Sequence, residues 1–327
     1  MAINGNKISK MTKNSDFLRD VELGLSQTPK TLSSKYFYDE IGDALFQKIM
    51  AMPEYYLTKS EAEIFQHQNK EIISSFEMDK NVPFELIELG AGDGSKTRYL
   101  LEELLKQGYQ FTYVPIDISH NALEIITKNM CEKFPDLKIM PKQGEYFQVL
   151  DGLFESENPK VLLFIGSNLG NMMDEVSKKF IHQIAKDLKA KDKLLLGLDL
   201  IKSAEIVLPA YNDAKGITKE FNLNLLQRMN IELGADFETE QFQHIPEYTE
   251  QEGIARSSIK SLKRQMVHFS VTGNSYQFEE GEKIHTEISR KYNDDVLNKI
   301  LKDSNFKIKH KFIDSRGYFA DYILERT

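Results

Sequence analysis

The stretch from Phe84 to Gly94 limits the possible folds of this chain more than any other. It predicts a buried strand that runs into a glycine-rich turn, and residues 95–105 continue with the apolar periodicity of a helix. Because glycine has no Cβ, Gly90, Gly92 and Gly94 can adopt positive φ and let backbone N–H groups approach a ligand. The following helix points its positive N-terminus into the same space. We therefore predict a site for a nucleotide-like cofactor.

The spacing of the glycines indicates which cofactor this is. The run G-x-G-x-G lacks the third-glycine spacing of a dinucleotide fingerprint, and Glu88 ends the strand just before it. This combination is commoner in S-adenosylmethionine (SAM) sites, where a carboxylate near the turn helps to hold the amino-acid end of the cofactor. The alternative is a tight strand–helix turn that binds nothing.

Strand and helix patterns alternate on both sides of this turn. Strands are predicted near 84–90, 110–117, 137–141, 160–166 and 192–199, and helices near 95–107, 119–133 and 174–189. Upstream, Thr58 or Ser60 is predicted to cap a helix that runs to about Phe76, with Glu61 in its first turn. Apolar runs separated by amphipathic helices indicate a parallel sheet covered on both faces. The predicted fold class is α/β, a doubly wound Rossmann-like domain with ligands beyond the carboxyl ends of the strands.

The strand–helix rhythm stops after Leu200. The patterns that follow predict helices in 203–262, a hairpin in 266–278, a helix in 286–302 and strands in 307–313 and 318–324. We therefore predict two domains. Residues 60–200 and 286–327 form the SAM-binding domain, and residues 10–59 and 201–285 form an inserted substrate-binding domain.

Composition and charge exclude several kinds of site. The 42 basic and 50 acidic residues give a net charge of −8, which offers no electrostatic argument for nucleic acid. The single cysteine, Cys131, excludes an intrachain disulfide, and the histidines have no HxH or HExxH spacing, so we predict no metal. The longest apolar runs are too short or too interrupted to span a bilayer. We expect a cytoplasmic monomer with no membrane or nucleic-acid partner.

Two residues near the predicted turn are candidates for holding the cofactor. Asp117 closes the second strand, where an acid accepts hydrogen bonds from ribose hydroxyls. Its alternative role is a helix N-cap, although Ser119 can cap that helix itself. Lys96, one turn into the first helix, can pair with a cofactor carboxylate or remain a solvated helix lysine.

The fourth predicted strand ends in Gly166-Ser167-Asn168-Leu169-Gly170-Asn171. An amide side chain donates and accepts hydrogen bonds without titrating, which suits the binding of a zwitterionic amino acid. Asn168 or Asn171 can instead fix the loop through an Asx turn. A G-x-S-x-G elbow is absent from the sequence, so covalent nucleophilic catalysis has no support.

A series of blocks in one order resembles the SAM-dependent histidine Nα-methyltransferases of ergothioneine biosynthesis, from about Asp16 to the C-terminus. The blocks are Ser34-Lys35-Tyr36-Phe37-Tyr38-Asp39, Pro53-Glu54-Tyr55-Tyr56-Leu57-Thr58, Glu88-Leu89-Gly90-Ala91-Gly92, Ser95-Lys96-Thr97-Arg98, Pro115-Ile116-Asp117, Gly166-Ser167-Asn168-Leu169-Gly170-Asn171, Leu196-Gly197-Leu198-Asp199-Leu200, Pro209-Ala210-Tyr211, Phe221-Asn222-Leu223-Asn224, Leu233-Gly234-Ala235-Asp236-Phe237 and Thr286-Glu287-Ile288-Ser289. This many ordered blocks are far more specific than a glycine loop alone.

The resemblance implies roles for individual residues. The residues implied to hold the cofactor are Tyr38, Glu88, Gly90, Lys96, Asp117, Glu145 and Tyr146. Those implied to line the amino-acid site are Tyr55, Gly166, Asn171, Tyr211, Ser257, Glu287 and Ser289. Within this set Asn171 and Tyr211 would grip the substrate carboxylate. Glu287 and Ser289 would hydrogen-bond the imidazole, because a carboxylate and a hydroxyl together satisfy both ring nitrogens.

Two positions depart from the family pattern. Gly144-Glu145-Tyr146 stands where the family usually has Gly-Asp-Phe around the adenine, and the longer acid can still accept from the adenine amine. An ungapped alignment from His244 places Ser257 where the family has a methionine packed on the substrate. A small hydroxyl there enlarges the pocket and makes it more polar, which affects the choice of amino acid rather than methyl transfer.

The sequence thus predicts a SAM-dependent N-methyltransferase that acts on the α-amino group of a free amino acid, L-histidine first. Alignment and desolvation would dominate catalysis, with Tyr55 or a water beside it as the base. The alternatives are the same chemistry on tryptophan, tyrosine or a histidine ring nitrogen, a nicotinamide-dependent oxidoreductase, and a non-catalytic SAM-binding module.

Overall fold

The computed structural model describes residues 15–145 and 156–327. The strands are β1 (Lys30–Thr31), β2 (Phe84–Leu89), β3 (Phe111–Asp117), β4 (Lys138–Ile139), β5 (Lys142–Gln143), β6 (Lys160–Phe164), β7 (Lys193–Asp199), β8 (Phe242–Thr249), β9 (Ile254–Ser261), β10 (Gln265–His268), β11 (Ser275–Phe278), β12 (Lys283–Arg290), β13 (Phe306–Ile313) and β14 (Phe319–Arg326). The helices are α1 (15–25), α2 (Glu40–Ala51), α3 (Tyr56–His67), α4 (Asn69–Ser75), α5 (Arg98–Lys106), α6 (His120–Lys133), α7 (Asp174–Asp187), α8 (Ala204–Tyr211), α9 (Ile217–Leu233) and α10 (Asp294–Leu301).

The chain divides into two compact units. Unit 1 comprises Met1–Tyr55 and Ser203–Ile288, and unit 2 comprises Tyr56–Lys202 and Ser289–Thr327. Each unit has a sheet and a hydrophobic core of its own.

Unit 2 is built on a sheet with the strand order β13-β14-β7-β6-β2-β3-β4, and β5 also pairs with β3. The strands from β7 to β4 run parallel, whereas β14 is antiparallel to both β7 and β13. This sheet confirms the predicted α/β class and the two predicted final strands. The strand predicted near 137–141 is replaced by the two short strands β4 and β5.

Two apolar layers cover this sheet because successive side chains of a strand point to opposite faces. Ile87 and Leu162 pack into the layer under α7 and α10, which contribute Phe180 and Leu297. Their strand neighbours Leu86 and Leu163 belong to the second layer, which includes side chains of α3, α4, α5 and α6. The prediction that helices cover both faces is confirmed.

Unit 1 contains a smaller sheet with the order β1-β12-β9-β8 and the separate hairpin β10-β11. Helix α9 lies at its core, where Phe221, Leu225 and Met229 pack with Leu45 and Ile49 of α2. The hairpin predicted in 266–278 is confirmed, since β10 and β11 pair antiparallel from Gln265 with Phe278 to His268 with Ser275.

Three local predictions are wrong. Residues 286–290 belong to β12, and α10 starts only at Asp294, after Asn293 caps it by accepting a hydrogen bond from the Val296 N–H at 2.9 Å. The prediction of helices in 203–262 is wrong for β8 and β9, which pair with each other as antiparallel strands. The helix expected up to Phe76 is two helices, and Ser60 lies inside α3 as an acceptor from Arg316 at 2.9 Å.

Candidate functional site

The glycine turn after β2 is open to a ligand at one position and closed at another. Gly94 has φ 67°, and a Cβ there would lie 2.7 Å from side-chain atoms of Ile126 and Met130, so the backbone and the packing both favour glycine. Gly92 has φ 55°, and a Cβ added to it would meet no described atom within 4 Å. Within the described part of the chain the backbone of the turn is therefore open at Gly92, where a nucleoside cofactor can approach it.

Asp117 ties the turn to the end of β3. Its Oδ2 accepts from the Gly92 N–H at 2.9 Å, and its Oδ1 accepts from the Ser119 N–H at 2.9 Å. The cap of α6 is Ser119, whose Oγ accepts from the Ala122 N–H at 3.2 Å. Asp117 is therefore not needed as the cap, and its half-buried carboxylate stands beside the open turn.

Glu88 supports the same turn from inside unit 2. The side chain is 1% exposed, and its two oxygens accept hydrogen bonds from Thr97 Oγ1 at 2.6 Å and from the Tyr113 hydroxyl. Burial raises the pKa of Glu88 to about 7, although both hydrogen bonds oppose that shift. Glu88 thus joins β2, β3 and the start of α5, which is a positioning role.

Lys96 forms an ion pair with Glu61, a fully buried residue of α3. The other oxygen of Glu61 accepts from the Gly166 N–H at 2.7 Å. Burial lowers the pKa of Lys96, but the charge and hydrogen bond of Glu61 together with the neighbouring acids outweigh it, so the pKa is raised overall. Because a Cβ at Gly166 would lie 3.2 Å from Lys96 Nζ, the lysine lies directly against the end of β6.

A second buried carboxyl group, that of Asp321 in β14, contacts Glu61, and both carboxyl groups lie against Gly197. Among the described residues, neither oxygen of Asp321 has a hydrogen-bond donor. Burial and the nearby charge of Glu61 raise the pKa of Asp321 far above its usual range. In its protonated form Asp321 can donate a hydrogen bond to Glu61.

The loop after β6 is fixed by backbone contacts. Ser167 has φ 59°, and its Oγ accepts from the Asp199 N–H at 3.0 Å. The loop ends in a short 3₁₀ helix, Asn168–Asn171, that leaves the Asn171 side chain exposed. Since β2, β3 and β6 are parallel neighbours, their carboxyl ends bring the glycine turn, Asp117 and this loop to one edge of the sheet.

A buried cluster of charges surrounds Asp199 at the end of β7. Asp199 accepts from Lys291 at 2.8 Å, from the Tyr56 hydroxyl at 2.8 Å and from Lys202. The Lys291 ammonium also donates to Ser289 Oγ at 2.9 Å. Burial lowers the pKa of Lys202 despite the neighbouring Asp199 carboxylate.

In unit 1, two of the predicted tyrosines pack on a common phenylalanine. The ring of Tyr38 meets Phe46 edge-on at 5.5 Å and Phe221 at 5.8 Å, and Tyr55 meets Phe46 at 6.3 Å. Both tyrosines are half-buried. Tyr211 is the last residue of α8 and is 7% exposed.

Glu287 is held by a serine of the adjacent strand. Ser257 is 1% exposed, and its hydroxyl donates to Glu287 Oε2 at 3.1 Å. Ser257 is itself fixed, because its carbonyl oxygen accepts from Thr286 Oγ1 at 3.0 Å. The half-buried Glu287 carboxylate is therefore oriented by the residue that departs from the family pattern.

The remaining predicted residues flank β5. Glu145 is half-buried and follows Gly144, whose N–H donates to the Asp117 carbonyl oxygen at 3.1 Å. The predicted contact of Tyr146 with the cofactor lies outside the described residues. Among the described residues, no group of three or more His, Cys, Asp or Glu could hold a metal ion. Nor is any helix in the described ranges long and apolar enough to cross a membrane.

The sequence prediction missed three residues of this region. Glu61 was assigned to a first helical turn, and neither Asp321 nor Lys291 was given a role. A signal existed only for Asp321, a single acid inside the otherwise apolar start of β14. Glu61 and Lys291 carry no local spacing that marks them.

Several named methyltransferases are similar to this chain. Residues 17–326 match the sequence model of the family described as SAM-dependent, histidine-specific methyltransferases. The histidine N-alpha-methyltransferase of Mycolicibacterium smegmatis is 32% identical over 302 residues, which is 92% of each chain. Ergothioneine biosynthesis protein 1 of Schizosaccharomyces pombe is 27% identical over 92% of this chain and 39% of its own length. The L-tryptophan methyltransferase of Psilocybe serbica is 26% identical over 91% of this chain and 89% of its own.

Proposed function

The chain belongs to the family of SAM-dependent, histidine-specific methyltransferases, and we propose that it methylates the α-amino nitrogen of free L-histidine, giving trimethylhistidine for ergothioneine biosynthesis. The choice of histidine is supported by the match of residues 17–326 to the histidine-specific family and by the 32% identity to a histidine N-alpha-methyltransferase, and the site adds the hydrogen bond from Ser257 to Glu287. It keeps a half-buried carboxylate oriented, and such a carboxylate favours a ligand that offers an N–H group.

The residues around the glycine turn fit SAM. The space at Gly92 admits a nucleoside against the backbone, and the Asp117 carboxylate lies beside it to accept from ribose hydroxyls. We assign the amino-acid end of SAM to Lys96 and Gly90, the adenine amine to Glu145 and Tyr146, and a further contact to Tyr38. When bound, SAM supplies an electrophilic methyl group on its sulfonium.

The remaining residues of the proposal hold the amino acid. Asn171 and Tyr211 bind the substrate carboxylate, while Glu287 and Ser289 bind the imidazole. Gly166 and Ser257 complete the lining. Because Glu61 fixes both Lys96 and the Gly166 N–H, the residues for cofactor and substrate share one buried support.

The chain's task in the reaction is to deliver an unprotonated amine in line with the methyl carbon. Fixing two reactants in this geometry contributes up to roughly 7–11 kcal/mol. We assign acceptance of the amine proton to Tyr55 or a water beside it. The faces of Tyr38 and Tyr55, ordered by Phe46, would stabilise the cationic product.

A second candidate substrate is tryptophan. The small, buried Ser257 leaves more room than a methionine, and the relative from Psilocybe serbica is a tryptophan methyltransferase. Methylation of a histidine ring nitrogen is the third candidate.

One experiment separates these candidates. The enzyme is incubated with SAM and a pool of free amino acids, and new masses are sought and fragmented. The proposal expects histidine alone to gain methyl groups, all on the α-nitrogen. Methylated tryptophan, or a methyl group on the imidazole, would replace the proposal with that candidate. A monomer acting in the cytoplasm stays a prediction from the sequence.

A further inference from the structure

Ser289, which the proposed function places on the substrate ring, has a charged partner behind it. Lys291 is 0% exposed, and its ammonium lies 2.9 Å from Ser289 Oγ and 2.8 Å from Asp199 Oδ2. Ser289 itself is 6% exposed. This contact is therefore shielded from solvent, where hydrogen bonds of ionised groups are at their strongest.

The chemistry of the two groups decides the direction of the hydrogen bond. An ammonium has three donors and no acceptor, so Ser289 Oγ must be the acceptor. With that lone pair engaged by a cation, the Ser289 O–H is turned away from Lys291 and is left to donate. We infer that Lys291 is a positioning residue that makes Ser289 a hydrogen-bond donor to the substrate ring, an inference that rests on the proposed function.

The consequence is a requirement on the ring. A donating hydroxyl needs a ring nitrogen with a free lone pair, and a protonated imidazole has none. The ring bound at Ser289 is therefore neutral, with one nitrogen unprotonated. The preferred substrate class is an amino acid whose side-chain ring carries such a nitrogen, which includes neutral histidine and excludes the indole of tryptophan.

Lys291 is kept in place by Asp199. This fully buried carboxylate also accepts from Tyr56 and Lys202, so its geometry is fixed from three sides. Lys202 offers a matched control, because its ammonium contacts the same carboxylate and donates to the Tyr56 hydroxyl at 3.2 Å. Substitution of Lys202 disturbs the cluster in the same way, whereas only Lys291 acts through Ser289 in this inference.

A double-mutant cycle tests the inference. Steady-state kinetics with histidine are measured for K291M, S289A and K291M/S289A, and for K202M with K202M/S289A. Loss of the hydrogen bond from Ser289 to the neutral ring predicts that K291M and S289A each lower kcat/KM about twofold to tenfold, mainly through KM. The double variant K291M/S289A should be no worse than S289A, whereas the effects of K202M and S289A should multiply.

Two outcomes overturn the inference. One is a K291M effect of equal size in the wild-type and S289A backgrounds, which would make Lys291 a general stabiliser of the fold. The other is an unchanged kcat/KM in K291M. If thermal melting shows that K291M is unfolded, K291Q replaces it in the same cycle. The amide of K291Q can still donate to Ser289, so the expected loss of kcat/KM is smaller. A wild-type enzyme that leaves histidine unmethylated would instead defeat the proposed function.

Discussion

The Ser257 hydroxyl donates a hydrogen bond to Glu287 Oε2 across two neighbouring strands, at 3.1 Å. Ser257 therefore orients the carboxylate assigned to the substrate ring, although it replaces a larger apolar residue of the family pattern. A polar residue at this position increases the order of Glu287 instead of only enlarging the pocket.

We expect Ser257→Ala to raise the KM for histidine about fivefold to tenfold, because Glu287 loses a hydrogen bond worth about 1 kcal/mol. SAM affinity should be unchanged. The matched control is Ser258→Ala, since Ser258 is equally buried but pairs with His285 Nδ1 at 3.2 Å. Steady-state kinetics check this, and equal KM values for the two variants would refute the role of Ser257.

We expect Asp117→Ala to weaken SAM binding about tenfold to hundredfold, as lost hydrogen bonds to a charged group cost about 1.5–3 kcal/mol. The carboxylate also orders the turn through the Gly92 N–H, so both contributions are lost together. Isothermal titration calorimetry measures the change. Unaltered affinity would show that Asp117 only orders the loop.

The buried Glu88 should make stability depend on pH. Its pKa is raised by burial to about 7, so between about pH 4.5 and 7 the folded chain holds a proton that the unfolded chain has lost. Glu88 therefore contributes its whole stabilisation, about 3 kcal/mol, below about pH 4.5. This stabilisation is lost as the pH rises to about 7.

The variant Glu88→Gln removes this dependence. Urea unfolding at pH 5 and pH 7.5 should show a smaller loss of stability for Glu88→Gln than for the wild type. Glu102→Gln is the control, because the Glu102 side chain is 56% exposed. If wild type and Glu88→Gln lose equal stability over this range, Glu88 is already ionised in the folded protein.

Asp321 should tolerate an amide but not a methyl group. In Asp321→Asn the amide can donate to Glu61 at every pH. We therefore expect wild-type SAM affinity and a free energy of unfolding that does not fall above pH 7. In Asp321→Ala the donor is gone, and we expect unfolding to be easier by about 1–3 kcal/mol. Urea unfolding measures the free energy of unfolding of both variants, and calorimetry measures their SAM affinity. If the two variants have equal stability and equal affinity, a proton on Asp321 has no function.

Much of unit 2 was predictable because its signals are local. The glycine turn, the apolar strands and the amphipathic helices each show their period within a few residues, and parallel strands then set where the site lies. The strands β9 and β12 of unit 1 were missed because they pair with each other although they lie far apart in the sequence, and β8 was missed together with its partner β9. A segment as short as residues 286–290 has no hydrophobic period strong enough to indicate a strand by itself.

The buried residues that support the proposed site could not be predicted from local sequence patterns. Glu61 reaches a backbone N–H that is 105 positions away in the sequence. No spacing rule connects such residues, and a buried acid looks like a surface acid until its surroundings are known. The residues assigned to SAM and the amino acid came instead from the ordered sequence blocks of the family resemblance, and their roles stay predictions.

The most direct test of the central claim is a mass spectrum of histidine after incubation with SAM and the wild-type enzyme, beside the same reaction with Glu287→Ala. The account predicts trimethylation of the α-nitrogen by the wild type and loss of that product with Glu287→Ala, which still binds SAM in calorimetry. Unmodified histidine with the wild type, or equal turnover by Glu287→Ala, would contradict it.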